Sequence, residues 1–248
     1  MIKKVVIAAA GQGTRMKHLS KNKSKLLINV KHKPFLAYLF DNLLAAGYKD
    51  FILVVGYRAD LMEKFLKDFG YKATVVNQFD ILGPKEKEYG TLCPIKCVRD
   101  LVGKENFLAV YGDNLYSVRD LKAINIDDNH NYMAARVEKE HPEKYGVLIT
   151  DKNGFLIEIK EKPKEYIGNL VNTGLYKFTP DIFDKIPCVG LSPRGEYELT
   201  DAITHLAKDG KVKLKMIEDY WLDFGCPGDI RKVGNFLRLN KSGKTTKQ

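Results

Sequence analysis

A chain of 248 residues with 44% apolar and 29% charged residues has the make-up of a globular protein, long enough to bury a full core without staples. Its cysteines, Cys93, Cys97, Cys188 and Cys226, are scattered; Cys93 and Cys97 stand as neighbours on a helix face, but no second ligand pair follows at matching spacing, so reduced, packed thiols in a reducing compartment are expected rather than a structural metal. The formal net charge of +10 points to an anionic partner: residues 1–40 hold nine Lys or Arg, and the first acid is Asp41.

In chain order, Lys3–Ala8 reads as a buried strand. The apolar run to Ala10 is too short to span a bilayer and fits a strand better than a targeting segment, so a cytoplasmic location and no membrane partner are expected. Phe35, Leu36, Leu39, Leu43 and Leu44 recur with helical period, with Gly47 as C-cap. Phe51–Val55 is a second strand, Leu61, Phe65 and Leu66 mark a helix, and Ala73–Val76 is a third strand. A helix over Thr91–Leu101 and a strand at Phe107–Tyr111 complete the first half. The second half is richer in strands: Tyr132–Val137, Tyr145–Thr150, Phe155–Ile159 and Val171–Phe178, with Asp151-Lys152-Asn153-Gly154 as a hairpin turn. Tyr197–Lys208 is helical, Trp221-Leu222-Asp223 a short strand, and Asp229–Leu239 a closing helix. Strand–helix alternation of this kind predicts a mostly parallel sheet covered on both faces, with ligands beyond the carboxyl ends of the strands.

The chemistry-bearing loops fall at those ends. In Gly11-Gln12-Gly13-Thr14-Arg15-Met16 two glycines let the backbone turn tightly and present N–H groups to phosphates. No Gly-Lys-Ser/Thr follows, so this is not a P-loop, and Met16 replaces the third glycine of the dinucleotide fingerprint. Arg15 can grip a phosphate bidentately and Lys25 adds a compact second charge. Asp113, directly after a buried strand, is suited to hold Mg²⁺ or to cap a helix, and Asp223 is a second acid on an apolar strand. Glu161-Lys162-Pro163 fits a polar pocket rim or an exposed loop.

Taken in order, Gly-x-Gly-Thr-Arg, Ser24-Lys25, Lys33-Pro34, Gly112-Asp113-Asn114, Tyr145-Gly146-Val147, Glu161-Lys162-Pro163, Asn172-Thr173-Gly174-Leu175-Tyr176, Glu198-Leu199-Thr200-Asp201 and Trp221-Leu222-Asp223 carry a resemblance. The chain resembles the sugar-1-phosphate nucleotidyltransferases, including glucose-1-phosphate thymidylyl- and uridylyltransferases, from about Lys3 to Leu239. The resemblance implies a Rossmann-like three-layer α/β sandwich with a mostly parallel central sheet and a smaller sugar-binding β subregion. It implies one domain over residues 1–239, with a nucleotide-binding half (1–130) and a sugar-phosphate-binding half (131–239). A disordered basic tail is expected over 240–248. The implied reaction is attack of a sugar 1-phosphate, glucose 1-phosphate favoured, on the α-phosphorus of dTTP or UTP, assisted by Mg²⁺.

Roles follow from the same resemblance. Gly11, Gly13 and Thr14 would contact the triphosphate, Arg15 and Lys25 (on a flexible loop) would neutralise the transferring phosphate, and Gln78 and Gly90 would line the base pocket. Lys162 would bind the sugar phosphate and Glu161 a sugar hydroxyl, with Gly146, Asn172 and Thr173 lining the sugar pocket. Asp113 and Asp223 would hold the metal. Many relatives carry Pro-Lys where this chain has Ser24-Lys25, a pair frequent in the thymidylyltransferase branch. Gly90-Thr91 comes later after the glutamine than in relatives, behind the charged stretch 83–88. No acyltransferase extension follows the catalytic domain, so acetyl transfer is not expected. The resemblance leaves homo-oligomerisation open. Three rival readings are weaker. A cytidylyltransferase for an amino-alcohol phosphate such as phosphocholine would lack the sugar-pocket motifs. An inactive regulatory domain would have lost Arg15, Lys25 or the acids. A nucleic-acid binder would carry a recognition helix or an aromatic-rich basic strand.

Overall fold

The computed structural model describes residues 1–241. Strand β1 (Lys4–Ala8) is followed by a hairpin, β2 (Asn29–Val30) and β3 (Lys33–Pro34), and then by α1 (Phe35–Ala45). β4 (Asp50–Val55), α2 (Ala59–Phe69) and β5 (Thr74–Asn77) follow. The C-terminus of α2 is closed by Gly70 in the left-handed region (φ 71), which a side chain would strain. A short α3 (Gln78–Leu82) leaves β5 without a break.

The helix expected over Thr91–Leu101 is two single turns, α4 (Cys93–Lys96) and α5 (Arg99–Val102). Pro94 is tolerated because it sits in the first turn, but Val98 (φ −111, ψ 6) leaves helical geometry and is fully buried; packing there overrides the local pattern. β6 (Phe107–Tyr111) then runs parallel to β1, and β7 (Asn114–Tyr116) and α6 (Val118–Ala123) complete the first half.

In the second half lie β8 (Asn131–Val137), β9 (Gly146–Thr150), β10 (Leu156–Glu161) and β11 (Leu170–Phe178), then α7 (Asp181–Lys185), α8 (Leu199–Lys208), β12 (Val212–Met216), β13 (Trp221–Asp223) and α9 (Pro227–Lys241). The strands β7 and β12 and the β2–β3 hairpin add to those the sequence predicts. The expected tail begins inside α9 at residues 240–241; its remainder, 242–248, lies outside the described residues.

The main sheet runs β10-β9-β11-β6-β1-β4-β5, with β8 on β11 and β12 on β8. The four strands β5, β4, β1 and β6 are mutually parallel, so the fold is α/β with a mostly parallel central sheet. β11 joins β6 antiparallel and carries the second-half strands. Alternation sorts side chains to two faces: Val5, Ile7, Leu53, Leu108 and Val110 into one core beneath α1, and Val6, Ile52, Val54, Phe107 and Ala109 into the other beneath α8. Cys93 is buried in the second layer, and burial pushes its thiol up to about 12, as expected of a packed, unreactive cysteine.

One contact ties the core to the cleft. Phe35, at the start of α1, stacks on Phe224 with centroids 4.2 Å apart, and Phe224 directly follows β13. Phe35→Ala is expected to cost about 3–5 kcal/mol in urea unfolding, the range for a fully buried aromatic. A loss below about 1 kcal/mol would show that the stack contributes little to packing.

Candidate active site

Strand order reverses at β1: the chain leaves toward β4 on one side and returns through β6 on the other. Loops from the carboxyl ends of β1 and β6 therefore diverge and leave a crevice, the usual ligand position in such sheets. A cleft of about 430 Å³ opens there, and it is lined by every residue the sequence assigns to the site.

The glycine-rich loop is held from beneath. Gly13 adopts φ 68, and a Cβ there would lie 2.9 Å from the Lys25 Cβ, so only glycine lets the two segments pack. Met16 is fully buried as the loop's anchor, and the Ser20 hydroxyl donates to the Gly13 carbonyl at 2.8 Å. From the turn after β4, the Tyr57 hydroxyl donates to the Lys21 carbonyl at 2.8 Å and Arg58 Nη1 to the Asn22 carbonyl at 2.6 Å. Lys25 is not on a free loop. It is buried, begins a 3₁₀ turn capped by Ser24, and pairs with Asp113 at 2.5 Å. Arg15 is exposed at the cleft and has no hydrogen bond or ion pair among the described residues.

The two aspartates meet where β13 pairs with β7. Asp223 lies opposite Asn114, one residue beyond Asp113, and the Phe224 N–H donates to the Asp113 carbonyl at 2.8 Å. Asp113 precedes a strand; the helix that follows is capped by Ser117, so the N-cap reading of Asp113 does not hold. Asn114 is the brace, accepting from the buried Trp221 indole at 2.6 Å and donating to Asp113 at 3.0 Å. The Asp223 carboxylate makes no hydrogen bond among the described residues. Burial, and then the charge of Asp113, raise it to about 6, against the pull of Lys25.

Two neighbouring carboxylates, one half-buried and without a hydrogen bond among the described residues, suit a divalent cation, and Lys25 already sets a positive charge against Asp113. No cluster of three or more His, Cys, Asp or Glu able to hold a metal occurs among the described residues. A cation here would complete its shell with phosphate and water oxygens, as Mg²⁺ commonly does.

Elsewhere in the cleft wall, Gln78 is buried at the start of α3, and its Oε1 has no partner among the described residues. From the second half of the chain, β9 and β10 place Gly146 across from Glu161. Burial raises the Glu161 carboxyl, opposed by Arg194 (3.8 Å) and Lys162 (3.9 Å). Lys162 is held at φ 46, a conformation that L residues rarely adopt, which turns the chain as it leaves β10. Asn172 donates to the Tyr176 hydroxyl at 2.8 Å and accepts from the Gly174 N–H at 2.9 Å. The Thr173 hydroxyl donates to the Ala134 carbonyl at 2.9 Å.

Sequence reasoning missed Arg194, and it quoted its partner Glu198 only within a motif, with no role. Arg194 bonds Glu198 Oε1 through Nε (3.1 Å) and Nη2 (2.6 Å), and both line the cleft. The signal was present as opposite charges four residues apart just before a helix.

A cleft lined by a glycine-rich loop, by cations and by two neighbouring acids, at the carboxyl ends of this sheet, has the make-up of a nucleotidyltransferase site. The family model described as Nucleotidyl transferase matches residues 4–239. The chain belongs to that family and, within it, to the sugar-1-phosphate nucleotidyltransferases, enzymes that generally use a divalent metal. UTP–glucose-1-phosphate uridylyltransferase AglF of Haloferax volcanii is 33% identical over 231 residues, 90% of this chain and 92% of that protein. Bifunctional protein GlmU of Methanocaldococcus jannaschii is 33% identical over 232 residues, 94% of this chain but 53% of that protein; the chain spans about half the length of that bifunctional relative. Among solved structures, UDP-glucose pyrophosphorylase complexed with UDP-glucose superposes with a TM-score of 0.83 at 22% identity, over 97% of this chain and 100% of that one, a likeness of fold. No described helix is long and apolar enough to cross a membrane.

Proposed function

We propose that the protein converts UTP or dTTP and glucose 1-phosphate to a nucleoside diphosphate glucose and pyrophosphate. The observation that carries this reading is that one cleft is lined together by the glycine-rich loop and Arg15, by Asp113 and Asp223, and by Glu161, Lys162 and Arg194. In this assignment residues 1–130 bind the nucleotide and residues 131–239 the sugar phosphate. The name of the AglF relative supports UTP; Ser24-Lys25, a pair of the thymidylyltransferase branch, keeps dTTP beside it.

The nucleophile is a sugar-phosphate oxygen, already anionic, so no general base is needed. It attacks the α-phosphorus, and the bond to the pyrophosphate oxygen breaks. The obstacle is the mutual repulsion of two polyanions and their alignment. Loop N–H groups at Gly11, Gly13 and Thr14 cradle the triphosphate, and Arg15 neutralises charge growing on the transferring phosphate. Lys25 adds charge beside Asp113. Gln78 and the Gly90 segment border the base, while Gly146, Glu161, Asn172 and Thr173 border the sugar. Lys162 and Arg194 hold the incoming phosphate. Asp113 and Asp223 would hold Mg²⁺, which when bound supplies charge neutralisation on the phosphates.

Pyrophosphate release tests the reading, measured with Mg²⁺ over dTTP, UTP, CTP, GTP and ATP against several sugar 1-phosphates and phosphocholine. Release that requires both UTP or dTTP and glucose 1-phosphate is expected. Release confined to CTP with phosphocholine would overturn the sugar reading, and binding of a triphosphate without release would indicate a regulatory domain.

A further inference from the structure

Two segments more than a hundred residues apart meet in the cleft wall. The Tyr197 N–H donates to the Tyr89 carbonyl at 2.9 Å, and the Leu92 N–H to the Tyr197 carbonyl at 3.0 Å. Gly90, between them, sits at φ 142, and a Cβ there would lie 2.2 Å from the Tyr197 carbonyl oxygen, so the two backbones touch where only glycine fits. Residues 89–91, Arg194 and Glu198 all border the cleft; in the proposed assignment the first lie with the nucleotide and the other two with the sugar phosphate.

Thr91 is the side chain that joins them. Helix α8 begins after Glu198, whose side chain does not cap it. The cap comes from across the seam: the Leu199 N–H donates to Thr91 Oγ1 at 2.9 Å. The same hydroxyl faces Glu198 Oε2 at 3.3 Å and donates to it. Glu198 is 4% exposed, and its other oxygen accepts from Ser192 Oγ at 3.1 Å and from both arms of Arg194. Arg194 is thus oriented by a carboxylate that is itself held from the nucleotide wall. The neighbouring Thr200 hydroxyl, also in the cleft wall, is buried without a partner among the described residues.

We propose that Thr91 is a positioning residue that couples the two subsites: a nucleoside triphosphate settling against residues 89–91 fixes Glu198 through the Thr91 hydroxyl, sets Arg194, and so raises the affinity for the sugar 1-phosphate. This rests on the nucleotidyl-transfer reading of the cleft. A hydroxyl shared between a helix cap and a buried carboxylate has two arrangements, held or released, and both ligands bias the same one.

The test is calorimetric binding of glucose 1-phosphate to the full chain with Mg²⁺, alone and with saturating α,β-methylene UTP, which cannot transfer. Wild type, Thr91→Val, Thr91→Ala and Thr91→Ser are compared, with thermal melts confirming that each is folded. In the wild type the analogue is expected to tighten glucose 1-phosphate binding about tenfold, within the usual range for coupled sites. Thr91→Val and Thr91→Ala should reduce that factor to about twofold or less while each ligand alone still binds, and Thr91→Ser should restore it. A purely structural cap would weaken the melts without touching the ratio. A folded Thr91→Val or Thr91→Ala that keeps the wild-type ratio overturns the proposal, as does a wild type that binds both ligands with no coupling. A wild type that binds neither ligand overturns the reading of the cleft itself.

Discussion

Asp223→Asn is expected to lower kcat by about 10²–10³-fold at saturating Mg²⁺, the range for losing one preorganised electrostatic group at a reacting centre. The carboxylate is half-buried in the cleft wall, makes no hydrogen bond among the described residues and is opposed by Asp113, which suits it to holding a cation against the phosphates. The same burial makes the ionised group a burden on the metal-free protein. Its value rises on folding from an ordinary 3.8 to about 6, so the native state binds the proton more tightly than the unfolded chain. The penalty is absent below about 3.8, grows as the pH rises, and is complete above about 6. Asn keeps the shape without the charge. Without metal, Asp223→Asn should therefore be more stable than wild type at pH 8, by about 1–3 kcal/mol, and lose that advantage as the pH falls toward 4. Urea unfolding with EDTA at several pH values measures it. Wild-type turnover by the variant would refute the metal assignment, and a pH-independent difference would refute the burial argument.

Arg15→Lys is expected to cost about 10–100-fold in kcat/KM for the triphosphate, and Arg15→Ala more, because a lysine keeps the charge but not the planar fork. Arg15 is exposed and unpartnered among the described residues, so its guanidinium is available to a ligand. It nevertheless lies near Asp223: a Cβ on Gly225 would lie 3.3 Å from both Arg15 Nη2 and Asp223 Oδ2. Stability should stay within about 0.5 kcal/mol of wild type, as for a surface substitution. A full rate in Arg15→Lys with unchanged triphosphate affinity would make Arg15 a surface charge.

Most of the cleft was legible because its chemistry is local. Gly-x-Gly after an apolar run, an acid after a buried strand and Glu161-Lys162 beyond a hairpin each announce themselves within a few residues. Their gathering at the carboxyl ends of one parallel sheet follows from the alternation of strands and helices, though the strand order itself does not. What stayed hidden depends on long-range partners. Nothing near Lys25 says that it will be buried against Asp113, since the contact spans 88 residues. Arg194 drew no reading from the sequence because its placement comes from Glu198 and, through it, from Thr91. The helix over Thr91–Leu101 failed for a related reason: burial of Val98 and the seam to Tyr197 override a pattern that is helical when read alone. β7 is three residues long, too short for periodicity to show, and it exists because it pairs with β13, the strand that Trp221-Leu222-Asp223 does announce.

The most direct test of nucleotidyl transfer in this cleft follows the oxygen. Glucose 1-phosphate labelled with ¹⁸O in its non-bridging phosphate oxygens is incubated with UTP or dTTP, Mg²⁺ and the protein, and the products are weighed by mass spectrometry. Attack by the sugar phosphate on the α-phosphorus predicts that all label stays in the nucleoside diphosphate glucose, with unlabelled pyrophosphate released. Label in the released phosphate or pyrophosphate would mean that the sugar phosphate is cleaved instead of attacking, and would contradict the account.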